Sequence, residues 1–460
     1  MHTLRPYQEQ AVQKIIGRYN GRSLLAADPG LGKTLMSLEC VKRMPRAWPV
    51  VVVCPAAVKW GWQKQALAHL NIHTSVLDGE KPTKLNSSLR HQILVINYDI
   101  LQYWRKELIA FKPKTLILDE CQNIANRRIN RTKACQAIAR RVPFVFGLSG
   151  TPLMNRPVEL FPMINLLWPQ EFDSFWSFGH QYCDPKLGPW GWEFKGATNL
   201  EELNAKLTRC GMIRIVKSEV ENLPKKTRRI ELMPLSDPAE YQAAVSDFLG
   251  WLSKQSVVKS SRAKRAAKLV QITHLKQLVA KLKARSVVNW INQWMADHPR
   301  SEKLVVAAWH KGMIKLLHKR CDAKSIVIDG STSNKHRRQF VDSFCFDKSI
   351  RLLIGNIRTI GTGVDGIQRA SRSVAFAELP WRPTDILQME DRCFRIGQDR
   401  ETNIHFLVAQ GTVEEKLCRM LQAKQNVVSD VLDGGRRVED LAIHDQLVQI
   451  LLRESKANLA

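Results

Sequence analysis

No stretch of the sequence approaches the ~20 consecutive apolar residues that a membrane-spanning helix needs. The opening MHTLRPYQEQ has no apolar centre, so it does not read as a secretory leader. Ten cysteines are scattered along the chain and none forms a Cys-x-x-Cys pair. That argues against a zinc module and a disulfide framework, and fits reduced thiols in a cytoplasmic or nuclear setting. Acidic residues are scarce: 43 Asp and Glu stand against 70 Lys and Arg, leaving a net charge of +27. Such an excess points to a polyanionic partner, with nucleic acid the commonest. Core material is not scarce. Hydrophobic residues make up 44% of 460, which disfavours widespread disorder and fits two or three domains. No internal repeat or low-complexity tract is visible.

Short apolar, β-branched runs alternate with longer helix-like stretches. In the first third they predict strands near Ser23–Ala27, Val50–Cys54, Ile93–Asn97, Thr115–Leu118 and Phe144–Leu148. In the last third they predict strands near Leu304–Ala308, Ile326–Ile328, Arg351–Ile354, Ser373–Ala377 and Asn403–Val408. Continuous apolar strands separated by helices indicate parallel sheets covered on both faces, and two such sets indicate two α/β lobes. The middle differs. FDSFWSFGHQYC and GPWGWEF are rich in aromatics and glycine, and residues 200 to 300 read as helices. Between Lys254 and Arg285 there are ten Lys or Arg and no acid. That tract is either a solvated helical face or a helical protrusion turned toward DNA, through Lys264, Arg265 and Lys268. The expected organisation is a first lobe over 1–168, a basic helical insertion over 169–285, a second lobe over 286–425 and a helical tail over 426–460.

Residues 27–34 read Ala-Asp-Pro-Gly-Leu-Gly-Lys-Thr, a P-loop with Ala27 at the usual first glycine. An apolar strand precedes it and a helical stretch follows, the context such a loop requires. Gly30 and Gly32 let backbone N–H groups close around phosphate oxygens, and the helix N-terminus adds partial positive charge. Lys33 is expected to bridge the β- and γ-phosphates of ATP, and Thr34 to hold Mg²⁺. Further on, TLILDEC ends an apolar strand with Asp119 and Glu120. Behind a P-loop this reads as a Walker B pair, with Asp119 on Mg²⁺ and Glu120 orienting or deprotonating the attacking water. A third strand ends in Ser149, Gly150 and Thr151. All three sites fall at carboxyl ends of strands, where open α/β sheets bind ligands.

In this order the motifs resemble the Swi/Snf-like ATPases of helicase superfamily two, over about residues 3 to 425. The resemblance implies an α/β fold of two RecA-like parallel-sheet lobes with a helical protrusion between them, ATP and Mg²⁺ as cofactors, and tracking on duplex DNA. Leu4-Arg5-Pro6-Tyr7-Gln8 looks like the adenine-reading element, which adds Arg5, Gln8 and Asp28 to the nucleotide set. Cys54-Pro55 through Lys59 and Trp62 looks like motif Ia, which touches a DNA strand. In the second lobe Ile328 to Thr332 with Arg337 and Phe344 resembles the family's Gly-x-Thr block, giving Ser331 and Arg337 as DNA contacts. Gly361 to Asp365 resembles motif V. Gln388-Met-Glu-Asp391-Arg392-Cys-Phe-Arg395-Ile-Gly397-Gln398 resembles motif VI. Gly363, Asp365 and Gln388 then join the ATP set. Arg392 and Arg395 are expected at the γ-phosphate, where a fixed guanidinium fork suits phosphate oxygens. Ser149, Gly150 and Thr151 are expected to couple the two activities.

Within the family the chain is similar to the annealing-helicase, or fork-remodelling, branch. Tyr182-Cys183-Asp184, Pro189-Trp190-Gly191-Trp192 and Phe376 to Trp381 carry that likeness. The tryptophans either pack at the junction of lobe and protrusion or stack on bases. Gln122 stands where the family often has His, and Arg214-Ile215-Val216-Lys217 lacks a second Arg common in relatives. The first motif starts at residue 4, so a minimal motor with no preceding recognition domain is expected. The alternatives are a strand-separating helicase for DNA or RNA, a DNA-binding scaffold with an inactive ATPase fold, and the motor subunit of a restriction or defence complex.

Overall fold

The computed structural model describes residues 4–188, 191–220, 223–254 and 261–436, with side chains except at 87, 90, 248–254, 261–271 and 334. The chain divides into two compact units. The first comprises residues 4–220 and the end of the last described helix, from Asn426; the second comprises residues 223–425.

Each unit is built on a wholly parallel sheet. The first sheet joins β1 (Arg22–Ala27), β2 (Val50–Cys54), β3 (Thr74–Val76), β4 (Ile93–Asn97), β5 (Thr115–Asp119), β6 (Phe144–Ser149) and β9 (Met212–Ile215) in the order β3-β4-β2-β5-β6-β1-β9. β2, β4 and β5 are buried from end to end, as continuous apolar runs in a doubly covered sheet must be. Two apolar clusters cover the two faces, one around Leu118, Tyr98 and Ile164 and one around Ile117, Val12 and Phe146. The strands β7 (Pro185–Gly188) and β8 (Gly191–Phe194) form a separate antiparallel hairpin.

The second sheet joins β10 (Lys226–Met233), β11 (Leu304–Ala308), β12 (Ser325–Ile328), β13 (Leu352–Asn356), β14 (Ser373–Phe376) and β15 (Thr402–Ala409) in the order β10-β15-β14-β11-β13-β12. The two sheets with their flanking helices are the two α/β lobes that the sequence implies. Three strands of these sheets went unpredicted. β3 is only three residues long, and β9 and β10 carry charged residues through what would otherwise be apolar runs. β9 and β10 lie inside residues 169–285, so that stretch supplies a strand to each sheet besides the helices Leu200–Cys210, Pro238–Lys254 and Ser261–Asp297.

Buried ion pairs fasten the second unit. Lys283 of the Ser261–Asp297 helix reaches Glu414 at 2.8 Å and the Leu407 carbonyl at 2.6 Å, all away from water. Glu390, fully buried at the end of the helix Pro383–Glu390, accepts from Arg228 at 2.6 Å and Lys226 at 3.2 Å on β10. Among the described residues no helix is long and apolar enough to cross a membrane.

Candidate ATP site and nucleic-acid surfaces

In the first unit three of the expected elements converge because adjacent parallel strands end together. β1 runs into the 28–32 loop, β5 ends on Asp119 and β6 ends on Ser149; β5, β6 and β1 are neighbours. Gly30 and Gly32 have φ of +90° and +82°, the left-handed region that glycine enters without penalty. A Cβ at Gly32 would also stand 2.5 Å from Gln8 Nε2, so any side chain there would have to displace the Gln8 amide. The helix Lys33–Arg43 begins at once, with Thr34 in its first turn. Lys33 Nζ donates to the Ala27 carbonyl at 2.8 Å, folding back over the loop.

Gln8 is buried against this loop. Its Nε2 donates to the Leu31 carbonyl at 3.0 Å and its Oε1 accepts the Arg5 N–H at 3.0 Å. Asp28 accepts from Arg214 at 2.6 Å and from the Lys217 N–H at 2.9 Å. Arg214 also reaches Asp433 at 2.7 Å. Burial opposes its charge, and Asp28 and Asp433 outweigh that burial. Arg214 thus fixes the start of the loop. A lone arginine in the apolar strand Met-Ile-Arg-Ile was the available signal, since a buried charge must be paired.

Asp119 is buried. Burial, and next the neighbouring Glu120 carboxylate, push its pKa up, while the Trp62 indole N–H and the Lys33 charge pull it down. The Trp62 indole donates to Asp119 Oδ2 at 2.8 Å and the Glu120 N–H donates to Oδ1 at 3.0 Å. Tyr98, also buried, donates to the Asp119 carbonyl at 2.8 Å. Glu120 holds φ +48°, a left-handed conformation that costs a non-glycine residue about 1 kcal/mol and is typical of functional turns. Its carboxylate accepts from Gln122 Nε2 at 2.6 Å, Gln122 Oε1 accepts from Ser149 Oγ at 2.6 Å, and Ser149 Oγ accepts the Thr151 N–H at 3.0 Å. Gln122 therefore links the acid of one strand end to the Ser149–Thr151 turn of the next. Gly150 packs on the phosphate loop, since a Cβ there would stand 2.8 Å from Pro29 Cδ.

These residues suit Mg²⁺. The ion takes hard oxygen donors and is usually held by one or two carboxylates together with substrate phosphates. Asp119 has no cationic hydrogen-bond partner, only neutral donors, and no cluster of three or more metal-binding side chains exists among the described residues. Asp119 with the Thr34 hydroxyl matches that donor set.

Two expected DNA contacts, Lys59 and Trp62, are engaged within the protein. Trp62 is buried and committed to Asp119, and Lys59 is buried with Nζ on Asp78 at 2.8 Å and on the Leu77 carbonyl at 3.4 Å. Both lie on the inward face of the helix Lys59–Leu70, three positions apart and so on one side; Trp60, two positions from Trp62, is the exposed one.

In the second unit Asp365 gathers the motif VI arginines. It accepts from Arg392 at 2.6 Å and from Arg395 at 2.5 Å. The protein crowded around Asp365 works against its ionisation even though the side chain still touches water, and the two arginines outweigh that, holding its carboxyl below the usual range. Arg392 also donates to the carbonyls of Gly361 at 2.9 Å and Val364 at 2.7 Å. Gln388, on the helix Pro383–Glu390, packs against Gly361, and the half-buried Arg337 lays its guanidinium against Gly363. Ser331 is exposed and donates to Asp329 at 2.5 Å. Lys264, Arg265 and Lys268 stand on the helix Ser261–Asp297, but their side chains lie outside the described residues, as do Pro189 and Trp190.

The SNF2-related domain profile matches residues 7–286, and that of the Helicase conserved C-terminal domain matches residues 283–397. The chain belongs to the SNF2-related family. One relative is the SWI/SNF-related matrix-associated actin-dependent regulator of chromatin subfamily A-like protein 1 of Xenopus laevis, 33% identical over 92% of this chain and 44% of its own length. The human DNA annealing helicase and endonuclease ZRANB3 is 30% identical over 94% of this chain and 41% of its own. The chain thus spans under half the length of these SNF2-related proteins. A solved Sulfolobus solfataricus SWI2/SNF2 ATPase core in complex with dsDNA is 23% identical, with 94% of each chain covered and a TM-score of 0.45. The assignment of fold rests on the two parallel sheets and on the family match.

Proposed function

We propose that this chain is the ATPase motor of a Swi/Snf-type DNA translocase that hydrolyses ATP to ADP and phosphate while tracking on duplex DNA, and that it rewinds or remodels forked DNA. The observation that carries the first part is the meeting of Lys33, Asp119, Glu120 and Ser149 at neighbouring strand ends in a chain of the SNF2-related family. The fork preference is supported by likeness to a protein whose name describes a DNA annealing helicase.

In this mechanism the loop from Asp28 to Gly32 and Lys33 hold the phosphates, and Arg5 and Gln8 recognise the base. Thr34 and Asp119 would hold Mg²⁺, which would supply charge neutralisation for the phosphates. Glu120 orients water and takes its proton as oxygen attacks the γ-phosphorus. Arg392 and Arg395 spread charge over the transferring phosphoryl group. The Gln122–Ser149 link carries the state of Glu120 to the Ser149–Thr151 turn. Gly363, Asp365 and Gln388 position the arginines. Lys264, Arg265, Lys268, Ser331 and Arg337 grip the DNA backbone, which gives affinity without sequence information. In a eukaryotic cell such a protein works in the nucleus, and in a prokaryote at the nucleoid.

Paired assays on the full chain test the outcome of tracking. With ATP, complementary strands of a partly melted duplex should re-pair, and a tailed duplex should keep its strand. Release of the strand from the tailed duplex would assign a strand-separating helicase instead.

A further inference from the structure

One aromatic recess in the first unit is used by none of these roles. It lies between the helix Phe175–Tyr182, the β7–β8 hairpin and the short segment after Glu120, and encloses about 400 Å³. Arg127, Arg128, Phe175, Trp176, Trp192 and Phe194 line it. Its floor is rigid: Phe194 meets Phe175 edge-on at 5.4 Å and Trp176 at 5.5 Å. His180 stands edge-on to Trp192 at 4.8 Å. Its walls are open to water, with Trp176 54% and Trp192 46% exposed.

Indoles left this wet, on rings packed this firmly, mark a binding surface rather than unfinished core. The charge around them says what kind. Arg127 lies 3.9 Å over the Phe175 ring and Arg128 is exposed, and neither makes an ion pair with an acid among the described residues. The hairpin's own acids are already matched, Asp184 by Lys186 at 3.3 Å and Glu193 by Lys195 at 2.6 Å. The recess therefore offers flat apolar faces beside unmatched guanidiniums. A nucleotide has the complementary parts: a base stacks on an aromatic face whatever its identity, and its phosphate takes the guanidinium fork. Paired bases in a duplex are stacked on each other and cannot enter; only an unpaired one can.

We propose that this recess takes one unpaired nucleotide of a DNA strand, its base against Trp176 and Trp192 and its phosphate on Arg127 and Arg128. The inference rests on the reading of the chain as a DNA motor and gives that motor a feature that tells a fork from an uninterrupted duplex. The segment that carries both arginines starts directly after Glu120 and Gln122, so an occupied recess sits one short stretch of backbone from the proposed water-activating acid.

The test uses the full chain, a fork with 2-aminopurine in its unpaired arm, a single-stranded oligonucleotide and a blunt duplex. Trp176→Ala with Trp192→Ala should weaken binding of the fork and the single strand by about tenfold and abolish the quenching of 2-aminopurine. Blunt-duplex affinity and duplex-stimulated ATPase should stay at the wild-type level, and Trp→Phe at both positions should keep most of the quench. Arg127→Ser with Arg128→Ser, at exposed positions outside the apolar core, should lower the salt slope of fork binding by about one and leave the blunt duplex unaffected. Unchanged fork binding in both double variants, or equal losses on fork and blunt duplex, overturns the proposal and gives the surface to a protein partner. A wild-type chain whose ATPase ignores every DNA overturns the motor reading, while the quench still decides the recess.

Discussion

The acidic cluster of the first unit and the arginine cluster of the second keep their charges in opposite ways. Asp119 and Glu120 are held by neutral donors, the Trp62 indole, the Gln122 amide and a backbone N–H. Burial, and next the Glu120 carboxylate, raise Asp119, and with only neutral hydrogen-bond donors on it the carboxylate is left able to take a cation. Arg392 and Arg395 instead share the carboxylate of Asp365, whose side chain is open to water. Water screens that pair from the Asp365 side, so a competing phosphate can draw the arginines from the acid at small cost, while Arg392 keeps its bonds to the Gly361 and Val364 carbonyls. A carboxylate that must receive a metal is kept ready by neutral hydrogen bonds. A guanidinium proposed to meet phosphate rests on an exposed acid.

The sharpest way to break this comparison is to remove one charge from each side. Lys33→Ala should reduce hydrolysis to background while DNA binding stays largely intact, because the lysine serves phosphate and not the tracking surface. Wild-type turnover in that variant would move the ATP site elsewhere. Arg392→Ala or Arg395→Ala should cut kcat by roughly 10³ or more with nucleotide affinity near normal. A loss of affinity at preserved turnover would make the arginines ground-state binders.

Trp62→Phe separates the structure from the sequence expectation. Loss of the indole N–H should lower kcat by about 10- to 100-fold and raise the Mg²⁺ concentration required, as outer-shell partners of metal ligands do. Duplex affinity should not change. If DNA affinity falls and the Mg²⁺ requirement does not, the motif Ia expectation is reinstated. The smallest effect belongs to Asp365→Asn. If Asp365 only parks the arginines, kcat should move by no more than about fivefold. A loss on the scale of the arginine variants would mean that Asp365 itself touches the nucleotide.

Much of this was legible because apolar runs announce parallel strands and chemistry sits where they end. β1, β2, β4, β5 and β6 were each readable to within a residue, and the glycine loop and the acid pair fall at strand ends, as the sequence implied. What escaped was written in long-range contacts that no period records. Trp60 and Trp62 are alike in sequence, yet one is exposed and the other buried on an acid 57 residues away. Gln122 reads as a tolerated replacement until Glu120 and Ser149 are found at its two ends. Arg214 reads as half of a missing pair until Asp28 and Asp433 are found around it. β10, Lys-Thr-Arg-Arg-Ile-Glu-Leu-Met, looks like a polar loop because its charges serve as anchors, two of them on buried Glu390.

The central claim is a motor driven by duplex DNA, and its most direct test is the ATPase rate at equal nucleotide concentration on RNA, single-stranded DNA, blunt duplex and forks. A net charge of +27 favours a polyanion, but charge alone would accept all four. The account predicts strong stimulation by both duplex-containing DNAs, greatest on forks, and little by RNA or single strands. Maximal stimulation by RNA or by single strands would contradict it.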